Sequence, residues 1–371
     1  MKKKYKVLQV FGSLNLGGAE SRMIDVYENI NKDLYEFSFL SMSFQNQYYE
    51  NKIESFGAKL YKVISPRESL LKNILQINVI LKQNNFNAIH CHVSYYSGIL
   101  MFLSYLHKIP VRIVHARTTG SENNRIIDRL LLFFGKQLVK HFSTSRVAIS
   151  NSAGKFLFGK MKFDVIPNAI NYKKFFNTEE SEVVKIKKSL NISNELVIGH
   201  VGRFEKMKNH DFLLRIALSM KNKGIIFKMI LIGEGTEKEE VRHKIQTNDL
   251  NEHVLLINNQ SNINVYMRVF DIFVFPSKYE GLGSVVLEAQ ASGCPCLLST
   301  GVPKEVSLGL GNIDFLDLTE NIDKWIDSIK RLTLIKRPTN FDIEKAFQTH
   351  GLTLENTVRK IENLFETRGE K

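Results

Sequence analysis

Short apolar runs alternate with stretches of helical periodicity along the whole 371-residue chain. In the first half the runs are Tyr5–Phe11, Phe37–Met42, Lys59–Ile64, Ala88–Val93, Val111–Ala116, Val147–Ile149 and Phe163–Ile166. In the second half they are Leu196–Val201, Phe227–Ile232, Val254–Asn258, Asp271–Phe275, Cys296–Ser299 and Asp314–Leu316. Runs this short, bounded by turn residues, read as buried strands. Helical periodicity fills most of the gaps, as in Ala19–Asn31, Leu70–Gln83 and Asp211–Asn222. Repeated strand–helix units build parallel sheets with helices on both faces. The alternation restarts after a polar, charged stretch, Asn171 to Asn194, which is expected to contain an interdomain linker. The chain therefore reads as α/β, with two doubly wound domains facing a central cleft at the carboxyl ends of their sheets. The tail, Phe341–Arg368, reads as helices.

Composition narrows the class without changing this architecture. The length suits about two domains of ordinary size, and a hydrophobic content of 43 % supports real cores. No apolar run approaches the roughly 20 residues that span a bilayer; the longest candidate, Gly98–Leu106, fits a buried helix. The start, MKKKYKVLQVF, reads as a basic tip and a strand rather than a signal peptide. Cys91, Cys294 and Cys296 are odd in number and lack C-x-x-C spacing, which fits a reducing cytoplasm better than a disulfide or zinc framework.

The net charge of +13 is unevenly spread. Between Pro66 and Ile170 fourteen Lys/Arg face only four acids, Glu68, Glu122, Asp128 and Asp164. Such asymmetry suggests a polyanionic partner: nucleic acid, anionic lipid or a phosphate-bearing substrate. No nucleic-acid motif is present. The stretch Arg125–Lys140 has more apolar residues than one buried stripe needs. It reads equally as a helix lying on an anionic membrane surface or as a packed helix with solvated lysines.

The chemistry concentrates in residues 271–300. A short strand ends at Pro276, a tight loop follows through Glu280-Gly281-Leu282-Gly283-Ser284, and a helix is expected over Val285–Ser292. A glycine-flanked loop opening a helix presents backbone N–H groups and a positive dipole end, which favour phosphate. Glu280 and Glu288 cannot bind phosphate, but ionised carboxylates accept hydrogen bonds from hydroxyls. Phosphate with hydroxyls on both sides describes a nucleotide sugar. Arg203 and Lys208 follow the strand Leu196–Val201 and suit a diphosphate leaving group. Further strand-end candidates are the loop Gly12–Glu20 with Gly17 and Gly18, and the histidines His90, His92 and His115. The loop fits a plain turn equally well, and strand-end histidines are commonly structural. Metal binding by His90, Cys91 and His92 is not expected, since their spacing matches no standard site.

These elements together resemble the retaining glycosyltransferases of family 4, which have the GT-B fold, and in particular their exopolysaccharide and capsule branch. The carriers are G-G-A-E at Gly17–Glu20, G-R-x(4)-K at Gly202–Lys208, G-x-G at Gly233–Gly235 and E-x7-E at Glu280–Glu288, with Arg112–Arg117 matching the branch. The resemblance implies domains of 1–172 and 173–340, with helices of 341–371 crossing back to the first domain. It implies that Arg203 and Lys208 neutralise a donor diphosphate, that Glu280 orients a hexose, and that Glu288 holds the ribose. It implies that His115 reaches the sugar and that Gly17 and Gly18 lie beside the donor phosphate. Gly233, Gly235 and Gln260 would line the nucleoside pocket and Gly281–Ser284 the phosphate site. Asn209 stands where the family has Gly, and Asn258, Gln260 and Asn262 depart from its base-binding segment. No D-x-D motif occurs, so no metal or other cofactor is expected. The implied activity is transfer from a UDP-sugar to a lipid-linked saccharide on the cytoplasmic face of a membrane. A sugar-nucleotide epimerase, a phosphorylase and a non-catalytic nucleotide-sugar-binding partner are the alternatives.

Overall fold

The computed structural model describes residues 4–15, 17–119 and 126–366. Within them the apolar runs form thirteen strands. Seven make one sheet: β1 (Tyr5–Phe11), β2 (Tyr35–Ser41), β3 (Lys59–Lys62), β4 (Ala88–Cys91), β5 (Val111–Ala116), β6 (Ser145–Ala148) and β7 (Asp164–Val165). Six make the other: β8 (Leu196–Val201), β9 (Phe227–Ile232), β10 (Val254–Ile257), β11 (Ile272–Phe275), β12 (Cys296–Ser299) and β13 (Ile313–Leu316). The strand orders are β3-β2-β1-β4-β5-β6-β7 and β10-β9-β8-β11-β12-β13. The pairings are parallel. Val7 through Phe11 are buried without alternation, as a strand covered on both faces requires. The edges are defended by lysines in β3 and by the two-residue length of β7.

The chain divides into two compact units, one of residues up to Ala169 and from Leu354 onward, the other of Ile170–Thr353. This corrects the expected boundaries at 172/173 and 340/341. The helix Asn340–Thr349 belongs to the second unit. There Phe347 stacks on Tyr172 at 5.0 Å, and the Tyr172 hydroxyl donates to Glu344 Oε1 at 3.1 Å. Only the helix Leu354–Glu366 returns to the first unit. Its Val358, Ile361 and Phe365 join the core, with Phe365 6.0 Å from the Tyr5 ring and 5.6 Å from that of Tyr35. The stretch expected to hold a linker instead forms the helices Tyr172–Phe176 and Glu180–Ser189, which pack on the helix Ile263–Val269.

In the second unit Phe212 meets Trp325 edge-on at 4.9 Å, amid buried Met229, Leu231, Ile272 and Val274. The indole N–H donates to the Asp317 carbonyl at 3.2 Å, so this large side chain is buried without an orphaned donor.

The basic stretch singled out from sequence is the helix Ile126–Phe142; Glu122 and Arg125 lie outside the described residues. It crosses the helix Ser97–Leu106 at two glycines. A Cβ on Gly98 would stand 2.4 Å from the Gly135 carbonyl oxygen, and one on Gly135 2.4 Å from that of Tyr95. Glycine is what allows this approach. Elsewhere on the helix Leu130, Leu131, Phe133 and Phe134 are exposed. No helix among the described residues is long and apolar enough to cross a membrane.

Each sheet reverses its winding once, between β1 and β4 in the first and between β8 and β11 in the second. Doubly wound sheets bind ligands outside the carboxyl ends of strands at such reversals.

Candidate active site

In the second unit the loops after β8 and β11 are laced together. The Lys278 N–H donates to the Met207 carbonyl at 2.8 Å, and the Asn209 side-chain amide donates to the Pro276 carbonyl at 3.2 Å. Lys208 Nζ lies 2.5 Å from Glu280 Oε1, with 12 % and 8 % of the two side chains exposed. The same ammonium sits 4.6 Å from the centre of the Phe275 ring. The sequence assigned Lys208 and Glu280 to separate tasks; the structure joins them in an ion pair. Arg203 leaves the same loop but is 60 % exposed and pairs with Glu205 at 2.7 Å. Asn209 has φ 60° and ψ 49°, a left-handed conformation. Asn is one of the few non-glycine residues that visits it readily, which accounts for its standing where Gly is usual.

The helix after β11 runs Ser284–Ala291, one residue earlier than expected. Gly283 caps it at φ 81°, again left-handed. The positive end of the helix dipole therefore lies beside Gly281, Leu282 and Gly283 at the winding reversal. Ser284 and Glu288 are half-buried, four residues apart and so on one helix face. Below this loop lie His200 and His210, which the sequence reading passed over. The His200 ring contacts the Val274 carbonyl at 3.0 Å. Both histidines are held well below their ordinary pKa, chiefly by burial; His210 falls to about 4, with the Lys208 charge adding to the effect.

Gly233 and Gly235 take φ of 156° and 157°. A Cβ on Gly233 would stand 2.0 Å from the Gly202 carbonyl oxygen, and one on Gly235 2.4 Å from that of Phe204. Their glycine identity is therefore required by the close approach of the β8 and β9 loops, independently of any ligand. Lys238 was also missed, because KEEVRHK reads as a solvated helix. Its buried Nζ donates to the Gly233 carbonyl (3.1 Å), Glu234 Oε1 (2.9 Å) and Asn258 Oδ1 (2.6 Å). Gln260, half-buried, donates through Nε2 to the Asn258 carbonyl at 3.2 Å.

At the reversal of the first sheet, Gly17 caps the helix Gly18–Asn29. The Glu20 carboxylate folds over Gly17, so that a Cβ there would meet Glu20 Oε2 at 2.3 Å. His90, His92 and His115 come together from β4, its end and β5, each with a ring nitrogen within 4.8 Å of the others. His90 Nε2 and His115 Nδ1 are 3.1 Å apart. Arg117 Nε donates to His92 Nδ1 at 3.2 Å, and His92 Nε2 contacts Gln9 Oε1 at 3.1 Å. Arg117 also donates to Asn168 Oδ1. His115, expected to reach a sugar, is only 2 % exposed. Burial is the largest cause holding all three rings below their ordinary pKa, and Arg117 reinforces it. Burial likewise pulls the Arg117 guanidinium down to about 9, against the opposing charge of Glu20. The sequence dismissed metal from the spacing of His90 and His92 and did not foresee the third ring. The physical argument against a cation is Arg117: it places positive charge beside the cluster and occupies His92 Nδ1, leaving the proton on Nε2.

Over 99 % of its length this chain is 32 % identical to EpsF of Bacillus subtilis (strain 168), named as a glycosyltransferase, of which 97 % is covered. Residues 183–337 match the family Glycosyl transferases group 1. The chain belongs to that family. This glycosyltransferase is also 25 % identical to the capsular polysaccharide biosynthesis glycosyltransferase CapH of Staphylococcus aureus, over 94 % of this chain and 97 % of CapH. It is 26 % identical to the UDP-Gal:alpha-D-GlcNAc-diphosphoundecaprenol alpha-1,3-galactosyltransferase of Escherichia coli, over 71 % of this chain and 70 % of that one. Among solved structures it resembles Anabaena HepE in complex with UDP and glucose, with a TM-score of 0.79, 17 % identity and coverage of 97 % and 98 % of the two chains. That likeness fixes the fold as GT-B.

Proposed function

We propose that this glycosyltransferase is a retaining, metal-independent enzyme that moves a hexose or N-acetylhexosamine from a UDP-sugar to a polyprenyl-diphosphate-linked saccharide in surface polysaccharide synthesis. The observation that carries the reading is the meeting of Lys208, Glu280 and a glycine-opened helix at the winding reversal of the second sheet. The names of the E. coli and S. aureus relatives support the donor, the lipid-linked acceptor and the polysaccharide role.

In this reading Lys208 exchanges its contact with Glu280 for the donor diphosphate, and Arg203 swings from Glu205 to join it. The helix dipole at Gly281–Ser284 completes the stabilisation of the leaving group. Glu280, released, accepts hydrogen bonds from the hexose, and Glu288 accepts from the ribose. The acceptor hydroxyl attacks the anomeric carbon on the face the diphosphate leaves. A new carbon–oxygen bond forms, the bond to the diphosphate breaks, and the hydroxyl proton passes to the departing phosphate oxygen. His115 serves the sugar's hydroxymethyl region as part of a neutral cluster with His90 and His92.

The acceptor's lipid requires a membrane, and the first unit offers a surface for one. Phe133 and Phe134 are exposed on a helix that also carries Lys136 and Lys140. Such a face suits an anionic interface. Vesicles containing anionic lipid are expected to sediment the protein at low salt. Replacing both phenylalanines by serine should release it, and indifference of the wild type to vesicles would remove this element.

The deciding experiment is nucleotide release from a panel of nucleotide sugars in excess EDTA, with and without lipid-linked acceptor, beside Glu280→Gln. Acceptor-stimulated release from one UDP-sugar, lost in the variant and giving an α-linked product, is expected. A β product contradicts retention, and activity that requires added magnesium contradicts metal independence. A folded, UDP-binding but silent protein would favour a non-catalytic partner.

A further inference from the structure

The donor-site reading leaves open what holds Lys208 in place. The two winding reversals differ in how far their ladders run. In the first sheet β1 and β4 stay paired to Val10 and Cys91, and the His92 N–H adds a bond to the Val10 carbonyl at 3.0 Å. In the second sheet the pairing of β8 with β11 stops at Gly199 and Phe273, although the strands run on to Val201 and Phe275. Their outer neighbours keep pace. β8 stays paired with β9 to Val201 and Ile232, and β11 with β12 to Phe275 and Leu298. Only the seam at the reversal opens.

His200 fills the opening. The Val274 carbonyl, which the next rung would use, meets His200 Nδ1 at 3.0 Å. A carbonyl only accepts, so Nδ1 carries the proton and Nε2 is a bare acceptor. Nε2 is buried and has no hydrogen-bond partner among the described residues. A Cβ on Gly202 would stand 3.2 Å from Nε2 and 3.4 Å from Cδ and Cε of Lys208. The ring and the lysine stem therefore lie against the same side of Gly202. The Phe275 ring stacks on His200 at 5.4 Å and carries the Lys208 ammonium at 4.6 Å. Stem and ammonium thus rest on neighbours of one imidazole. An apolar ring would fill the space without a buried, unmade bond; what the imidazole adds is a donor across the seam.

We propose that His200 is a positioning residue for Lys208: anchored on the Val274 carbonyl, its ring holds the β8–β11 seam open at a fixed width and sets the lysine against the donor diphosphate. The proposal rests on the donor-site reading above.

The test is titration calorimetry of the full chain with UDP and UMP, for wild type, Lys208→Met, His200→Asn and His200→Phe, each checked for folding by thermal melting. UMP lacks the second phosphate, so the ratio of the two affinities reads the charge held against the diphosphate. The wild type is expected to bind UDP at least roughly tenfold more tightly than UMP, and Lys208→Met should bring the ratio close to one. His200→Phe should weaken UDP binding about tenfold and UMP binding less than about twofold. His200→Asn keeps an N–H donor at the place of Nδ1 and should hold the ratio within about threefold of wild type. Equal loss of UDP and UMP affinity in folded His200→Phe, an unchanged ratio in it, or the same damage from His200→Asn overturns the positioning role while leaving the donor site standing. Nitrogen-15 NMR of the wild type decides the matter should His200→Phe not fold: the His200 proton is expected on Nδ1, with Nε2 moving on addition of UDP but not of UMP. A proton on Nε2, or an Nε2 signal blind to UDP, overturns the role. A wild type that binds no UDP, or a Lys208→Met protein that keeps the wild-type ratio, overturns the donor site itself.

Discussion

The two sheets share one topology and end in different chemistry. At the β1/β4 reversal stand three neutral histidines, a glutamine and one half-buried guanidinium with its charge partly offset by Glu20. At the β8/β11 reversal stand a close lysine–glutamate pair, a second arginine and a helix start. The first set is suited to hydrogen-bonding hydroxyls without attracting strong charge. The second is suited to a departing anion. Winding order marks where such sheets hold a ligand; the side chains at the strand ends set which chemistry each end suits.

The largest effects should come from breaking this asymmetry at the charged end. Lys208→Ala is expected to lower kcat/KM about 10²–10³-fold, in line with loss of one preorganised charge on a leaving group. Glu280→Gln should do comparable damage, and the double variant should cost less than the sum, because each partner holds the other. Arg117→Met should lower kcat/KM by a smaller factor. Steady-state kinetics on the four proteins tests the ranking, and an Arg117 effect exceeding that of Lys208 would reverse the assignment of roles.

Next come the glycines, which differ between the two ends. Gly233→Ala drives a Cβ into backbone and should destabilise by about 3 kcal/mol. Gly17→Ala meets only the far end of the Glu20 side chain and should cost under about 1 kcal/mol. Urea melts distinguish them, and equal shifts would mean Gly17 is as constrained as Gly233.

Acid should act on both ends. The unfolded chain protonates His90, His92, His115, His200 and His210 near their ordinary pKa, whereas the folded chain resists it. Stability is therefore fully present above about pH 6.5 and falls as pH drops below it, by up to about 1.4 kcal/mol per pH unit for each ring. Melting temperature against pH should decline on the acid side, and replacing His90 by Gln should flatten that decline; a flat wild-type profile would contradict the buried neutral state. A last prediction concerns Asn209. Its replacement by Ala should cost about 2 kcal/mol, from the left-handed position and the lost bond to the Pro276 carbonyl, and by Gly about 1 kcal/mol, from the lost bond alone, as read from denaturant midpoints.

Much of this was legible in the sequence. Each apolar run became a strand with its ends moved by a few residues, as in Phe37–Met42 against the observed Tyr35–Ser41. The fold survives such errors because the buried runs, not their ends, determine the sheets. The placing of Arg203, Lys208, Glu280 and the Gly281–Ser284 loop just beyond the ends of β8 and β11 was legible because each follows its strand at short range. What escaped was tertiary. The Lys208–Glu280 contact links residues 72 positions apart. His90 and His92 did carry a usable signal, since alternate residues of a strand share a face, but His115 joins them only through the pairing of β4 with β5. Lys238 looked like any surface lysine until its partners were known. The tail misled because the expected crossing was given to all of 341–371, whereas Phe347 of the first tail helix stacks on Tyr172 and only the last helix returns.

That returning helix bears on how the protein is made. A ribosome delivers β1 to β7 first, yet the side chains that close their core, Val358, Ile361 and Phe365, are synthesised after the whole of the second unit. The second unit is continuous and can complete itself during translation, as domains generally do. The first must wait with Tyr5, Tyr35 and Phe37 uncovered, and its maturation is tied to residues 354–366 rather than to its own strands.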